Sequence, residues 1–152
     1  MNKKFELLLD DTITIFGIKL FRIKALISFG NVEEGELGGY IEKEDNLSAS
    51  GNAWVYGDAR VYGNAEVYGN ARVYGDAWVS GDADYIVFKN NWSSGRYFTY
   101  TKSNKMWRVG CFYGTGQELI KKAYQDSEVS GKHYEAYVEF VEKLEKLEET
   151  ND

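Results

Sequence analysis

The stretch that decides the fold runs from Gly51 to Ile86 and reads GNAWVY GDARVY GNAEVY GNARVY GDAWVS GDADYI. It consists of six consecutive hexapeptides in which glycine, alanine and, in most repeats, valine recur at fixed positions. A six-residue period of this kind is typical of a β-solenoid, in which short strands stack on their successors. Gly followed by Asn or Asp suits the corners, because these residue types adopt positive φ at low cost.

The alternation within each hexapeptide predicts which side chains face the core. The Ala and Val positions are two residues apart, so they share one face of an extended segment. We expect them to point inward: Ala53, Val55, Ala59, Val61, Ala65, Val67, Ala71, Val73, Ala77 and Val79. The intervening and following positions then point outward: Trp54, Tyr56, Arg60, Tyr62, Glu66, Tyr68, Arg72, Tyr74, Trp78 and Ser80.

The repeat resembles the hexapeptide-repeat family of left-handed parallel β-helices. The resemblance implies three hexapeptides per triangular coil, about two to two and a half coils here, and stacking of residues eighteen apart. The pairs expected to stack are Trp54 with Arg72, Arg60 with Trp78, Tyr56 with Tyr74, and Asp58 with Asp76. The carboxylate pair is either a cation site or a solvated corner. Residues 45–50 fit as a weaker first repeat, with Leu47 at the Ala position.

The flanking segments predict the rest of a mainly β chain. Residues 1–44 form an N-terminal β segment and cap, with strands over 12–16 and 19–25 and a turn at Phe16-Gly17. Residues 45–86 are the solenoid, and residues 87–152 hold an antiparallel β-hairpin and two helices. Three short strands are expected: YIVFK, RYFTYTK and MWRVGCFY. A capping box, Thr115-Gly116-Gln117-Glu118, opens the first helix, and the second runs from about residue 133 to 148.

Composition limits the cellular context. The single cysteine excludes an internal disulfide framework and suits a reducing cytoplasm. No stretch approaches the length of a membrane span, and the N-terminal residues do not match a signal peptide. The net charge of −6 argues against binding to duplex DNA, which depends on many phosphate contacts. We therefore expect a cytoplasmic protein without a membrane partner.

The inventory of reactive residues argues against an enzyme. Hexapeptide-repeat acyltransferases resemble the chain in the repeat but use a histidine in or beside the coils as general base. The only histidine, His133, lies far from the repeat in sequence, and a three-histidine zinc site is impossible. Cys111 lies within an apparent strand, which favours a buried structural thiol. We expect no catalytic residue, no metal ligand and no cofactor; a degenerate acyltransferase is the remaining enzymatic alternative.

A segment rich in aromatic and basic residues is the strongest positive signal. Residues 85–116 carry nine aromatic and five basic side chains and no carboxylate side chain. Aromatic faces stack on bases and cations neutralise phosphates, so this composition suits a nucleotide-like ligand. The alternative is that the rings are ordinary packing of a small antiparallel sheet. The candidate ligand-binding residues are Trp92, Arg96, Tyr97, Tyr100, Trp107 and Arg108.

The flanks add a functional context. LFRIKALISFGNVEEGELGGYIEKEDNLS before the repeat and GCFYGTGQELIKKAY after it resemble small hexapeptide-repeat proteins of phages and prophages. This resemblance implies a phage context without implying a reaction. Our functional hypothesis is that the protein interferes with a process, such as defence, in the infected bacterial host. It would sequester a nucleotide-like signal, or alternatively cover a host protein through Trp54, Arg60, Arg72 and Trp78. Exposed Tyr and Trp rows predict a homo-oligomer, with a trimer favoured.

Overall fold

The chain is mainly β with two helices at its C-terminal end. A computed structural model describes residues 2–150 of the 152. Two compact units are found, one ending at Cys111 and the other beginning at Phe112. The first unit contains ten strands: β1 (Phe5–Ile15), β2 (Ile18–Ala25), β3 (Leu37–Ile41), β4 (Trp54–Val55), β5 (Arg60–Val61), β6 (Arg72–Val73), β7 (Trp78–Val79), β8 (Tyr85–Lys89), β9 (Tyr97–Thr101) and β10 (Met106–Val109). The second contains β11 (Phe112–Thr115), α1 (Gly116–Asp126) and α2 (Glu128–Thr150).

The N-terminal strands form the predicted hairpin. β1 pairs antiparallel with β2, and Ile15 faces Ile18 across the turn. Phe16 and Gly17 both have positive φ, 52° and 79°. Positive φ at both central residues matches the type I′ turn that joins strands of right-handed twist. The turn is therefore confirmed, with a phenylalanine at a position where bulky side chains are strained.

The repeat region stacks in parallel at the predicted spacing. Trp54 pairs with Arg72 between β4 and β6, and Arg60 pairs with Trp78 between β5 and β7. β3 joins the same ladder through Tyr40, which pairs with Arg60 twenty residues later. The resulting five-stranded sheet has the order β1-β2-β3-β5-β7, while β4 and β6 form a separate pair. The eighteen-residue rule thus holds within the regular repeats.

The inward positions of the repeat form the core as predicted. All ten Ala and Val residues from Ala53 to Val79 are almost completely buried. They belong to one hydrophobic cluster, which also includes Phe5, Ile23 and Ile41 from the N-terminal strands. Alternation at a two-residue period was sufficient to identify these positions, because side chains on an extended segment alternate between faces.

The phase of the repeat was wrong at its first hexapeptide, and the stack ends before the sixth. Leu47 pairs with Val67, so it occupies the Val position rather than the Ala position. At the other end, Ala83 is exposed and lies in a 3-10 turn, Asp82–Asp84. Tyr85 then enters the core and begins β8. The last of the six hexapeptides therefore leaves the stack, because its Ala has no coil to pack against.

The strands after the repeat are antiparallel. β8 pairs with β9 and β9 with β10, matching YIVFK, RYFTYTK and the first half of MWRVGCFY. The third prediction was too long, because Gly110 adopts a φ of 58° and ends β10. Cys111 follows in the turn and is exposed, so the expectation of a buried thiol was wrong.

The start of α1 was predicted correctly, whereas the start of α2 was not. The Thr115 hydroxyl accepts a hydrogen bond from the Glu118 N–H at 3.2 Å, and the Glu118 carboxylate accepts from the Thr115 N–H at 2.8 Å. These bonds confirm the capping box and lower the pKa of Glu118. α2 begins earlier than expected, at Glu128. The buried side chains of α2 are Tyr134, Val138 and Val141.

Lys4 is a buried cation at the edge of the core. Its Nζ donates to the carbonyl oxygens of Ser48 at 3.0 Å and Ala53 at 2.8 Å, and lies 4.6 Å from the centre of the Phe29 ring. Burial lowers its pKa from 10.5 to about 8, because the low-polarity surroundings disfavour the charged form. Lys4 thus ties the N-terminal strand to the start of the repeat.

We predict that Gly39→Ala destabilises the protein. A Cβ at this position would lie 2.6 Å from the Ala59 carbonyl oxygen and 2.8 Å from Val55 Cγ1. Overpacking of this kind costs about 1–3 kcal/mol, and a backbone carbonyl cannot move aside as a side chain can. Gly81→Ala is the matched control, since a Cβ there meets nothing within 4 Å. Urea unfolding should show a lower midpoint only for Gly39→Ala; equal midpoints would contradict the close packing of β3.

A second prediction concerns how Lys4 makes the free energy of unfolding depend on pH. Between about pH 8 and 10.5 the folded state loses the Lys4 proton while the unfolded state keeps it. The unfolded state then binds more protons, so the free energy of unfolding gains a contribution that rises with pH, by about 1.4 kcal/mol per unit of pKa difference at most. In Lys4→Met this contribution is absent. The difference in unfolding free energy, wild type minus variant, should rise across this window; a flat difference would refute the burial effect.

Candidate functional site

Two of the predicted ligand-binding residues lie inside the protein. Tyr100 and Trp107 are each only 2% exposed. Their ring centres are 4.8 Å apart, and Trp107 also stacks on Phe88 at 5.9 Å. Both rings are packed in the interior and line neither of the two cavities described below. They form the packing that the sequence had left open as the alternative.

Arg108 extends a stack of tyrosines. Tyr56 lies parallel to Tyr74, with ring centres 3.8 Å apart and 8° between the planes, as the eighteen-residue rule predicted. The Arg108 guanidinium lies 3.9 Å from the centre of the Tyr74 ring. This geometry is a cation–π contact. Arg108 therefore caps the tyrosine stack.

The other three predicted ligand residues are closer to the surface. Trp92 is half-buried, whereas Arg96 is exposed and lies against Gly110, where a Cβ would approach its Nη1 to 2.7 Å. Tyr97 is 41% exposed. The Lys89 ammonium lies 5.8 Å from the centre of the Tyr97 ring. Tyr97 is the member of the set that lines a cavity described below.

The predicted partner-binding residues, like the predicted ligand-binding residues, divide into buried and partly exposed side chains. Trp54 is 0% exposed, and Phe5 and Phe29 pack edge-on against it at 6.5 and 5.3 Å. The expectation that Trp54 faces solvent was therefore wrong, because N-terminal residues cover this part of the repeat. Arg60 lies over Trp78, 5.1 Å from the ring centre, as expected. Both are half-buried.

Arg60 and Trp78 belong to a longer ladder of alternating cations and rings. Strand pairing brings Arg22, Tyr40, Arg60 and Trp78 together in that order across four strands. Arg22 lies 4.4 Å from the Tyr40 ring centre, and its Nη2 donates to the Tyr40 hydroxyl at 2.6 Å. Asp11 pairs with Arg22 at 3.1 Å. At the other end Phe16, 80% exposed, contacts Trp78 edge-on at 5.5 Å.

Two adjoining cavities form the candidate site, which we call the Arg72–Tyr97 cleft. The smaller, about 160 Å³, is lined by Gly30, Asn31, Asn52, Tyr56, Asn70, Arg72 and Tyr97. The larger, about 500 Å³, is lined by Tyr68, Gly69, Asn70, Asp82, Tyr85, Ile86, Val87 and Tyr97. Asn70 and Tyr97 line both cavities, so the two cavities lie side by side. The structure thus joins one residue from each predicted set, Arg72 and Tyr97.

The cleft combines one cation, one carboxylate and several rings. Asp82 Oδ1 accepts a hydrogen bond from the Glu66 N–H at 2.7 Å, and the Tyr85 hydroxyl donates to the Glu66 carbonyl at 2.7 Å. Burial raises the pKa of Tyr85 well above its ordinary value, and burial together with neighbouring Tyr74 does the same for Tyr56. Both phenols therefore stay neutral across the physiological range. Arg72 and Asp82 provide the formal charges of the lining.

Sequence reasoning predicted only Arg72 and Tyr97 of the cleft lining as site residues, and it missed the polar residues Asn52, Asn70 and Asp82. Asn52 and Asn70 were interpreted only as corner residues, and Asp82 was assigned to the last repeat. A signal was available for the first two, because they are eighteen residues apart at the same repeat position. Asp82 gave no such signal, since it reaches the cleft only because the chain leaves the stack in a 3-10 turn.

The remaining reactive residues occupy structural positions. His133 lies within α2, and its Nδ1 donates to the Val129 carbonyl at 2.7 Å. Asp76 accepts a hydrogen bond from Asn104 at 3.2 Å. Among residues 2–150, no group of three or more His, Cys, Asp or Glu side chains is arranged to hold a metal ion. No helix in the same part of the chain is both long and apolar enough to cross a membrane.

Comparison with known proteins found a similarity within the repeat. A family described as the YdcK Beta solenoid repeat matches residues 65–81, which extend from the third hexapeptide into the sixth. A search of curated proteins found no match. Over these residues the chain is therefore similar to a β-solenoid repeat.

Proposed function

We propose that this protein is a non-catalytic binding protein that sequesters a small nucleotide-like molecule in the Arg72–Tyr97 cleft. The observation that carries the proposal is the meeting of Arg72, an exposed tyrosine ring and corner asparagines around one cavity, which adjoins a larger one. The proposed setting is the cytoplasm of a phage-infected bacterium, where removal of a signalling nucleotide would interfere with a host defence.

The scaffold we propose is a short left-handed parallel β-helix. Parallel pairing at eighteen-residue separation, a buried Ala/Val interior and similarity to a β-solenoid repeat support it. In such a scaffold, equivalent corners lie above one another, which is how Asn52 and Asn70 come to line the same cavity. The rigid stack would hold the cleft in shape before a ligand arrives, which lowers the entropic cost of binding.

The lining suggests how a nucleotide would lie. Arg72 and the amides of Asn52 and Asn70 are suited to a phosphate, and Tyr97 presents a ring face for a base. Asp82 lies in the larger cavity, where its carboxylate can accept hydrogen bonds from sugar hydroxyls or an exocyclic amine. A volume of about 500 Å³ lies within the usual range for small-molecule sites. One ligand would therefore span both cavities with its anionic end at Arg72.

A second candidate function rests on Phe16. The Phe16 side chain is 80% exposed, and its backbone has positive φ. Its ring contacts Trp78, the last residue of the ladder of cations and rings. Exposed aromatic side chains beside arginine are common anchors of protein interfaces. The alternative is therefore a protein that covers a host partner through Phe16, Trp78 and Arg60. A homo-oligomer, with a trimer favoured, remains part of either proposal.

We predict that a nucleotide raises the melting temperature. A panel of linear and cyclic mono- and dinucleotides is screened by thermal shift, since a ligand that binds the folded state stabilises it by mass action. Arg72→Ala and Tyr97→Ala should each reduce affinity at least tenfold, as measured by calorimetry. Arg96→Ala is the control, because Arg96 is a neighbouring exposed cation that does not line either cavity. No shift at millimolar ligand, or equal loss in Arg96→Ala, would refute the cleft.

The alternative predicts a different outcome at Phe16. Phe16→Asn places a residue that tolerates positive φ in the turn, so the unfolding free energy should not fall. If Phe16 anchors a host protein, this variant loses the partner in a pull-down from host lysate. Leu9→Asn is the matched control, since Leu9 is also highly exposed, at 76%. Retention of every captured protein by Phe16→Asn would reject the covering function.

A further inference from the structure

The backbone ladder of the repeat has a regular donor in every hexapeptide. Where another layer follows, the residue between Ala and Val donates its N–H to a backbone carbonyl in that next layer. The Trp54 N–H donates to Ala71 at 3.1 Å, and the Arg60 N–H donates to Ala77 at 2.9 Å. These bonds join successive layers, so each layer depends on the one that follows it.

The last layer has no following layer, and its donors at this position bond to side chains. The equivalent residues are Glu66, Arg72 and Trp78, spaced six residues apart. Their N–H groups donate to three side-chain oxygens: Asp82 Oδ1 at 2.7 Å, Thr99 Oγ1 at 3.0 Å and Ser103 Oγ at 2.8 Å. The same backbone position is thus satisfied in three consecutive hexapeptides by an oxygen from the segment after the repeat.

The segment that supplies these oxygens is itself bonded to the end of the repeat. The Lys102 N–H donates to the Asp84 carbonyl at 3.0 Å, and Asn104 Nδ2 donates to Asp76 at 3.2 Å. Thr99 is buried, so its hydroxyl is held in place by packing. The three acceptors therefore come from a positioned turn and hairpin.

We propose that Asp82, Thr99 and Ser103 form a terminator that prevents a second copy of this chain from adding to the last layer. β7 is the edge of its sheet and β6 the edge of its pair, and an unpaired edge strand is a template for further pairing. A side-chain oxygen satisfies the donor without presenting a continuing strand. The other edge of the five-stranded sheet, β1, is interrupted by a register shift between Leu8 and Thr12 beside Asp10 and Asp11.

The unpaired N–H groups of the edge strands indicate which molecule the terminator excludes, namely a second copy of this chain. Without the side-chain acceptors of the terminator, β6 and β7 would present unpaired N–H groups. The nearest complementary surface in solution is the same edge of another molecule. Pairing of two identical edges closes on itself with two-fold symmetry, so the product would be a dimer of the native assembly. This inference is independent of the ligand in the cleft.

The test is the double variant Thr99→Val with Ser103→Ala, which removes two acceptors and leaves the cleft lining unchanged. Amide hydrogen exchange should become about tenfold faster at Arg72 and Trp78, which lose their acceptors, while Trp54 and Arg60 keep their protection. Light scattering should give twice the native mass of the wild type. Thr14→Val is the matched control, because Thr14 is exposed on β1; it should change neither measurement.

Each other outcome overturns the proposal. Unchanged exchange at Arg72 and Trp78 would mean that the two hydroxyls do not protect the edge. Faster exchange at these amides with the wild-type mass would mean that the edge does not recruit a second copy. Faster exchange at Trp54 and Arg60 as well would mean that the substitutions loosen the whole stack, in which case the cap has no separate role.

Discussion

The parallel backbone ladder between successive layers of the repeat is the interaction on which the rest of the structure depends. It places each Ala and Val directly against its counterpart in the next layer, as Val55 lies against Val73 and Val61 against Val79. The core that results is thin, because alanine contributes little apolar surface. It is completed by large residues from outside the stack: Phe5 and Ile23 from the N-terminal strands and Tyr85 from β8.

The two ends of the stack are closed by different chemistry. At the start, β3 continues the ladder, and the buried Lys4 ammonium satisfies the carbonyl oxygens of Ser48 and Ala53. At the finish, hydroxyl and carboxylate oxygens from the following segment accept the N–H groups that no strand takes up. The Arg72–Tyr97 cleft lies where this second closure meets the corners of the repeat. The residues that end the stack thereby also shape the candidate site.

The aromatic side chains separate into packing and surface roles only in three dimensions. Tyr97 and Tyr100 are both on β9, three residues apart, yet one lines the cleft and the other is buried. Trp54 and Trp78 hold equivalent repeat positions, but Phe5 and Phe29 cover only Trp54. Composition suggested that one segment stacks on a ligand. It could not assign the faces, because burial depends on which distant segment packs over each ring.

The sequence by itself determined the interior of the repeat, its eighteen-residue stacking, the Phe16-Gly17 turn and the capping box at Thr115. The resemblance to hexapeptide-repeat proteins implied the eighteen-residue stacking. The other three follow from short-range physics: a two-residue alternation, a backbone that needs positive φ, or a side chain three residues from its partner. Only the tertiary structure decided the phase at Leu47, the exit of the chain at Asp82 and the joining of Arg72 with Tyr97. Those features arise from contacts between segments far apart in the chain, whose geometry no local pattern encodes.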